Sequence, residues 1–198
     1  MDAQCGWCYG NSSNIMKIKD IFKDQYAFEL LTGGMWTGTH APRGGEKLSE
    51  FLKTNGPRMS TITGAHLSEA FYRLAQDDSY IFSSLEPNAA ICLVKQLKPD
   101  AAFLFAKKTQ EALYIRGERL DKLQTYVPIL NELSIDRDVF KLNWMRDENL
   151  ANVYREFSES SKYANGFPTL LRQNGTKIEL IASGYFNLDD VMSRLNMD

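Results

Sequence analysis

The sequence is poor in the residues that build disulfide frameworks and metal sites. Its 198 residues include only three cysteines, Cys5, Cys8 and Cys92, and two histidines, His40 and His66. Three cysteines cannot build a disulfide framework, and a zinc site at Cys5 and Cys8 would need about two further Cys or His ligands in ligand spacing. We therefore expect no structural disulfide network and no bound metal.

Long apolar runs and basic clusters are also absent from the sequence. No run approaches the roughly 20 apolar residues of a transmembrane helix, which argues against a membrane partner. The net charge is -2 and no basic cluster occurs, which argues against a nucleic-acid partner. The start of the chain lacks the basic and apolar regions of a signal peptide, so we expect a cytoplasmic protein. The length predicts one domain, or one domain carrying an insertion.

The chemistry centres on the motif Cys5-Gly6-Trp7-Cys8-Tyr9-Gly10. Two cysteines three positions apart either exchange electrons through a disulfide or hold half of a metal site. Apolar residues recur at helical spacing directly after the motif, at Ile15, Ile18, Ile21 and Phe22, which places the cysteines at the first turn of a helix. Side chains three apart on a helix lie roughly 5–6 Å apart at Cβ, within reach of a disulfide. A redox pair is favoured over a metal site or an inert pair.

The helix start also suggests different roles for the two cysteines. Free N–H groups and the helix dipole stabilise a thiolate there, so Cys5 is predicted to be the exposed attacking thiol. Cys8, one turn inside, is predicted to be the resolving thiol. Cys92 lies on an apolar helix face and is interpreted as a buried inert thiol rather than a second redox centre. Trp7 is expected to cover the sulfurs and contact substrate, with a core position as the alternative.

The rest of the chain predicts a helical block within an α/β frame. Residues Tyr26–Thr32 and Thr169–Arg172 read as strands, and Asn174-Gly175 is a hairpin signal that leads into a strand at Lys177–Ile181. The three strands are expected to share one sheet. The predicted later helices, several opened by a capping aspartate, are 46–53, 86–97, 100–119, 121–133, 136–144, 147–163 and 187–195. Residues 1–56 and 164–198 are assigned to a discontinuous α/β domain, and 57–163 to a helical insertion.

This order resembles a known superfamily. A Cys-x-x-Cys motif at one end and Gly166-Phe167-Pro168-Thr169 near the other are similar to the thioredoxin superfamily. The helical insertion narrows the resemblance to its DsbA-like branch. The Cys-Gly-Trp-Cys-Tyr-Gly motif resembles the FrnE-like group of predicted disulfide oxidoreductases and isomerases, and the resemblance covers nearly the whole chain.

The resemblance implies an α/β, thioredoxin-like fold with a large inserted all-helical domain. It implies a cis Pro168 packed beside the Cys5–Cys8 pair, with the preceding peptide offering backbone groups to an extended substrate. The family begins with a central strand that runs into the motif, and since four residues precede Cys5, this first strand is expected to be missing or truncated. The residues expected to shape the substrate site are Gly6, Trp7, Phe167, Pro168 and Thr169.

The function implied is that of a thiol–disulfide oxidoreductase or isomerase acting on protein disulfides. Cys5 attacks, a mixed disulfide forms, and Cys8 resolves it, with no cofactor besides the redox-active Cys5–Cys8 disulfide. The expected partners are protein or peptide thiols and disulfides, with glutathione as a further candidate. Two alternatives stay open. One is a glutathione-dependent isomerase or transferase of the kappa-like branch, whose members usually lack the second cysteine. The other is a non-catalytic, chaperone-like peptide-binding module.

Overall fold

The computed structural model describes residues 1–195. The last three residues of the segment assigned to the α/β domain, 196–198, therefore lie outside the described residues. The described chain forms nine α-helices and one two-stranded sheet. The helices are α1 Gly6–Phe22, α2 Glu46–Thr63, α3 Glu69–Leu74, α4 Leu85–Leu97, α5 Ala102–Tyr114, α6 Leu123–Glu132, α7 Arg137–Asn143, α8 Asp147–Ser161 and α9 Leu188–Leu195. The strands are β1 Thr169–Asn174 and β2 Lys177–Ser183.

Helix α1 begins in the cysteine motif, as predicted, and ties the two ends of the chain together. Its residues Ile18 and Phe22 are buried, whereas Ile21 is 47% exposed. The buried pair packs in a cluster with apolar side chains of β2 and α9, including Ile181 and Val191. Burial of this stripe fixes the cysteine end of α1 against the C-terminal part of the chain.

Helix α2 is longer than predicted. The sequence signal Asn55-Gly56-Pro57 suggested a stop, but the helix runs through Pro57 to Thr63. Gly64 caps it, with the left-handed φ of +71° that is common at a helix C-cap. A proline in a helix interior removes one backbone hydrogen bond. Packing supports the helix across this point, since Gly56 and Met59 are buried in the core. The predicted helix end is therefore wrong.

The aspartate caps are only partly as predicted. Asp136 caps α7, its carboxylate accepting from the amides of Asp138 and Val139. Helix α8 instead begins at Asp147 itself, so this carboxylate lies within the first turn. Helices α5 and α6 begin without a side-chain cap. Burial of apolar faces therefore stabilises these helix starts more than capping does.

The hairpin is present where the sequence predicted it. Strands β1 and β2 pair antiparallel from Thr169–Ser183 to Asn174–Lys177, with a shift in register between Leu170 and Leu171. Gly175 occupies the turn with a φ of +60°, which favours glycine. Gly184 follows β2 directly with a φ of +74°, so the predicted break is also present.

The predicted strand Tyr26–Thr32 is wrong. This segment belongs to no strand in the described residues, and the sheet contains β1 and β2 alone. The local preference for a strand is not sufficient, because a strand needs a neighbour along its length. The backbone contacts of this stretch include Met1, whose ammonium donates to Leu31 O at 2.8 Å and whose carbonyl accepts from the N–H of Gly33 at 2.7 Å, and Glu156, which accepts from the N–H of Thr32 at 3.0 Å.

Candidate active site

Cys5 lies directly before α1 as its N-cap residue. Its backbone is extended, with φ −87° and ψ 113°, and its Sγ accepts a hydrogen bond from the N–H of Cys8 at 3.2 Å. The sulfur thus accepts a hydrogen bond from a free N–H group of the first helical turn. The side-chain oxygen of Ser, Thr, Asp or Asn plays the same role at most helix N-caps. The N–H dipole of the first helical turn therefore points at the Cys5 sulfur.

Both cysteines are buried. Cys5 is 3% exposed and Cys8 is 4% exposed, and both are free thiols. The prediction that Cys5 is the exposed member of the pair is therefore wrong. The segment before Pro168 lies against Cys5, since the Cys5 thiol donates to the carbonyl oxygen of Phe167 at 3.3 Å.

The surroundings of Cys8 hold it as a neutral thiol. Burial raises its pKa well above the usual value, and a hydrogen bond to the Cys5 sulfur and the charge of Cys5 act in the same direction. The N–H of Asp2 approaches the Cys8 sulfur at 3.5 Å and opposes the rise. At neutral pH, Cys8 therefore keeps its proton.

The Phe167–Pro168 peptide bond is cis, in agreement with the resemblance. The ring of Phe167 fits against Gly33, where a Cβ would lie 2.0 Å from the ring carbon Cζ. Thr169 begins β1, and its hydroxyl donates to the carbonyl of Gly166 at 2.7 Å. The structure thus brings the segment Gly166–Thr169 to the cysteine motif, although about 160 residues separate them in sequence.

The two residues between the cysteines differ in their surroundings. Gly6 has no steric need to be glycine, because a Cβ there would meet Met59 and Tyr114 only at 3.9 Å. Trp7 is half-buried and packs against the cluster that contains Met59 and Phe71. The core position considered for Trp7 therefore describes its packing, and its contact with substrate stays a prediction.

A buried carboxylate next to the cysteine motif was not predicted from the sequence. Asp2 is fully buried, and four donors satisfy it. Its Oδ1 accepts from the Gln4 amide at 2.8 Å and the Ser84 hydroxyl at 3.0 Å, and its Oδ2 accepts from the Met35 amide at 2.9 Å and Asn88 Nδ2 at 3.1 Å. Burial raises the pKa of Asp2, and the hydrogen bonds from Met35, Gln4 and Ser84 partly offset the rise. The signal in the sequence was an aspartate three residues before Cys5.

Tyr114 contacts the cysteine motif on its buried side. Its hydroxyl donates to the carbonyl of Gln4 at 2.7 Å, and its ring stacks on Tyr9 with centroids 4.7 Å apart. Burial raises the pKa of Tyr114, and negative charge on Cys5 and Cys8 adds to the rise. The phenol therefore stays neutral and donates. This hydrogen bond ties helix α5 to the residue before Cys5.

Cys92 lies in a separate environment. It is 2% exposed and packs in the large core cluster of α4 to α8. Burial, followed by the charge of Glu156, raises its pKa to about 12, and its sulfur lies 3.3 Å from the Thr32 hydroxyl. The predicted burial of Cys92 is confirmed, and its lack of reactivity stays a prediction.

Residues 1–195 contain no candidate metal centre and no candidate membrane span. No group of three or more His, Cys, Asp or Glu side chains there is arranged to hold a metal ion. No helix in the same stretch has both the length and the apolar character to cross a membrane.

Solved structures share this architecture. A candidate protein disulfide isomerase from Nitrosomonas europaea superimposes with a TM-score of 0.87 over 98% of this chain and 92% of its own, at 21% identity. The cytosolic disulfide reductase DsbM from Pseudomonas aeruginosa gives 0.82 over 98% and 94%, at 22% identity. Its structure with glutathione gives 0.81. This chain has a thioredoxin-like fold. No protein-family model and no curated protein matches the sequence.

The fold predicted from the sequence, a thioredoxin-like α/β frame with a large helical insertion, is thereby confirmed. In this thioredoxin-like chain the cysteine motif opens the first helix and the Phe167–Pro168 segment precedes the hairpin. The geometry of the Cys5 sulfur, with the Cys8 amide and the Phe167 carbonyl as its neighbours, defines the candidate site.

Proposed function

We propose that this protein is a thiol–disulfide oxidoreductase or isomerase in which Cys5 is the nucleophile and Cys8 the resolving thiol. One observation carries the proposal. The Cys5 sulfur accepts the Cys8 N–H at the start of α1, while the Cys8 thiol contacts the same sulfur. The start of α1 presents an N–H donor to the Cys5 sulfur, and the proton stays on Cys8.

The proposed exchange proceeds in two steps. The Cys5 thiolate attacks one sulfur of a substrate disulfide, whose S–S bond breaks as the leaving sulfur takes up a proton. Cys8 then loses its proton and attacks the Cys5 sulfur of the mixed disulfide, releasing the second substrate thiol. The substrate has gained two electrons and two protons, and the protein holds a Cys5–Cys8 disulfide. In isomerisation, a substrate thiol attacks the mixed disulfide instead.

The backbone of Phe167 lies where a substrate bound to Cys5 would pass. Its carbonyl accepts from the Cys5 thiol at 3.3 Å, and this bond is lost when the thiol ionises, because a carbonyl oxygen repels a thiolate. The backbone beside Cys5 is then free to pair with an extended substrate chain. We assign substrate contact to Phe167, Pro168 and Thr169 on this side and to Gly6 and Trp7 on the other.

Glutathione is the thiol we propose to reduce the Cys5–Cys8 disulfide again. The DsbM structure that contains glutathione supports this choice, and protein or peptide disulfides are the proposed oxidised substrates. DsbM is a cytosolic reductase, which supports the expectation of a cytoplasmic setting, where thiols are kept reduced. No organic cofactor enters the proposal.

Reduction of insulin with glutathione as the electron source tests the proposed function. The wild-type protein is expected to accelerate precipitation of the insulin B chain, and Cys92→Ser is expected to retain this activity because Cys92 lies in the separate core. A wild-type rate equal to that of glutathione alone would argue for a chaperone-like module without redox activity. Activity that persists in Cys8→Ser but needs glutathione would favour the kappa-like alternative.

A further inference from the structure

An ion pair between α4 and α8 is bonded to the segment that packs against Phe167. The Lys95 ammonium on α4 contacts one carboxylate oxygen of Glu156 on α8, and the two side chains are only 16% and 19% exposed. The other oxygen of Glu156 accepts from both the N–H and the hydroxyl of the buried Thr32, each at 3.0 Å. Charge-assisted hydrogen bonds of this kind are stronger than neutral ones. Glu156 therefore fixes the position of residue 32.

The two glycines that follow Thr32 pack directly against aromatic rings. A Cβ at Gly33 would lie 2.0 Å from the ring carbon Cζ of Phe167. A Cβ at Gly34 would lie 2.7 Å from Cδ2 of Phe157, the residue next to Glu156 on α8. Contacts this close leave no room for the turn to shift without moving the rings. Residues 32–34 are thus held by α8 and in turn contact Phe167.

Phe167 extends this series of contacts to the reactive cysteine. Its carbonyl oxygen lies 3.3 Å from the Cys5 sulfur. The backbone of a residue that precedes proline is conformationally restricted, so a displacement of the Phe167 ring is passed on to its carbonyl. Packed contacts therefore connect the ion pair of the helical block with the sulfur of Cys5.

We propose that Glu156 is a positioning residue, which through Thr32 and Gly33 holds the Phe167 carbonyl against Cys5. Lys95 orients the carboxylate. Glu156 acts as a hydrogen-bond acceptor for Thr32, and its charge matters only for the pairing with Lys95. The consequence for substrate rests on the proposed function, because the same stretch of backbone is where an extended substrate is placed.

Two double variants separate the acceptor from the charge. Lys95→Met with Glu156→Gln removes both charges and keeps an amide oxygen that accepts from Thr32. Lys95→Met with Glu156→Leu also removes both charges, but an apolar side chain replaces the acceptor. Replacing both members of a buried ion pair is often tolerated, whereas removing one leaves an unpaired charge. Circular dichroism checks that both variants fold. Thr32→Val, which loses one of the two bonds to Glu156, is a milder third variant.

The Phe167 carbonyl can be observed directly, because the sequence contains Phe-Pro at one place only, residues 167–168. Protein labelled with ¹³C at phenylalanine carbonyls and ¹⁵N at proline gives one coupled carbonyl signal, whose chemical shift depends on hydrogen bonding. Reduced wild-type protein and Cys5→Ala supply the bonded and unbonded values. The double variant with Glu156→Leu is expected to move towards the unbonded value, and Thr32→Val to move less. The double variant with Glu156→Gln is expected to keep the wild-type value.

Kinetics with a peptide disulfide test the consequence for substrate. In the double variant with Glu156→Leu, KM is expected to rise about threefold to tenfold, the effect of one weakened hydrogen bond, with kcat nearly unchanged. The variant with Glu156→Gln is expected to retain the wild-type KM. If the wild-type protein shows no turnover, the proposed function fails, and the carbonyl signal still decides the role of Glu156.

Two outcomes would overturn the positioning role. A wild-type carbonyl signal in both the Glu156→Leu double variant and Thr32→Val would show that the ion pair only joins α4 to α8. The bond from Asn88 Nδ2 to the Gly33 carbonyl, at 2.6 Å, would then be enough to hold the turn. Equal displacement in the two double variants would show that loss of charge, and not loss of the acceptor, moves Phe167.

Discussion

The Cys5 sulfur lies 3.3 Å from the carbonyl oxygen of Phe167, although 162 positions separate the two residues in sequence. The contact joins the helix start of α1 to the segment that leads into β1. Neither partner could adopt this position alone, because packing of α1 against β2 and α9 brings the two ends together. The site is therefore a product of the tertiary fold, and changes that separate these ends are expected to act on the chemistry.

Gly33 provides the first test of this contact. A Cβ at this position would lie 2.0 Å from the Phe167 ring, so Gly33→Ala is expected to displace Phe167 from Cys5. We expect a loss of about 1–3 kcal/mol in the free energy of unfolding, together with a changed rate of Cys5 alkylation. Urea denaturation and mass spectrometry measure the two effects.

Gly166→Ala is the matched control, because a Cβ there has open space around it. Its stability is expected to stay within about 0.5 kcal/mol of wild type. Equal effects of the two substitutions would show that contact between Gly33 and Phe167 does not govern the site.

The buried Asp2 carboxylate is expected to be a strong determinant of stability. Asp2→Asn places an amide donor against groups that themselves donate, such as the Met35 N–H and the Ser84 hydroxyl. An unsatisfied buried donor costs about 1–3 kcal/mol, and a loss of this size is expected in urea denaturation. Asp24→Asn, at an exposed site, is the control and is expected to be nearly neutral. An unchanged midpoint for Asp2→Asn would contradict the role assigned to this network.

The raised pKa of Cys92 predicts that the free energy of unfolding depends on pH at alkaline pH. Folding raises that pKa from 9.0 to about 12, so below pH 9 the thiol is protonated in both states and its contribution to stability is constant. As pH rises from about 9 towards 12, the unfolded chain releases the proton first, and the free energy of unfolding falls. Cys92→Ala is expected to show a shallower decline between pH 9 and 11. Identical pH profiles for the two proteins would contradict the raised pKa.

The helices and the hairpin could be predicted because their signals are local. The apolar stripe at Ile18 and Phe22 and the turn at Gly175 each depend on neighbouring residues, and both features are present. The end of α2 could not be predicted, because burial of Gly56 and Met59 supports the helix through Pro57. The strand at Tyr26–Thr32 failed for a related reason, since its formation depends on a partner strand that local sequence does not report.

In the candidate site, too, features with a local sequence signal could be predicted and features that depend on tertiary packing could not. Cys5 and Cys8 are identified by their spacing, and their place at the helix start follows from the stripe behind them. Burial of Cys5 could not be predicted, because it depends on Phe167 from the far end of the chain. The Asp2 network was equally hidden, since its donors come from separate segments around Gln4, Met35, Ser84 and Asn88.

Trapping of the mixed disulfide tests the central claim most directly. Single-serine variants of Cys5 and Cys8 are incubated with a peptide disulfide, quenched with acid and weighed as intact proteins by mass spectrometry. Cys8→Ser is expected to accumulate a one-to-one adduct mapped to Cys5, because the attacking thiol is present and the resolving thiol is absent. Cys5→Ser is expected to accumulate none, because the remaining thiols, Cys8 and Cys92, have raised pKa values and stay protonated. Adducts in equal yield on both variants, or an adduct that maps to Cys8 alone, would contradict the roles assigned to the two cysteines.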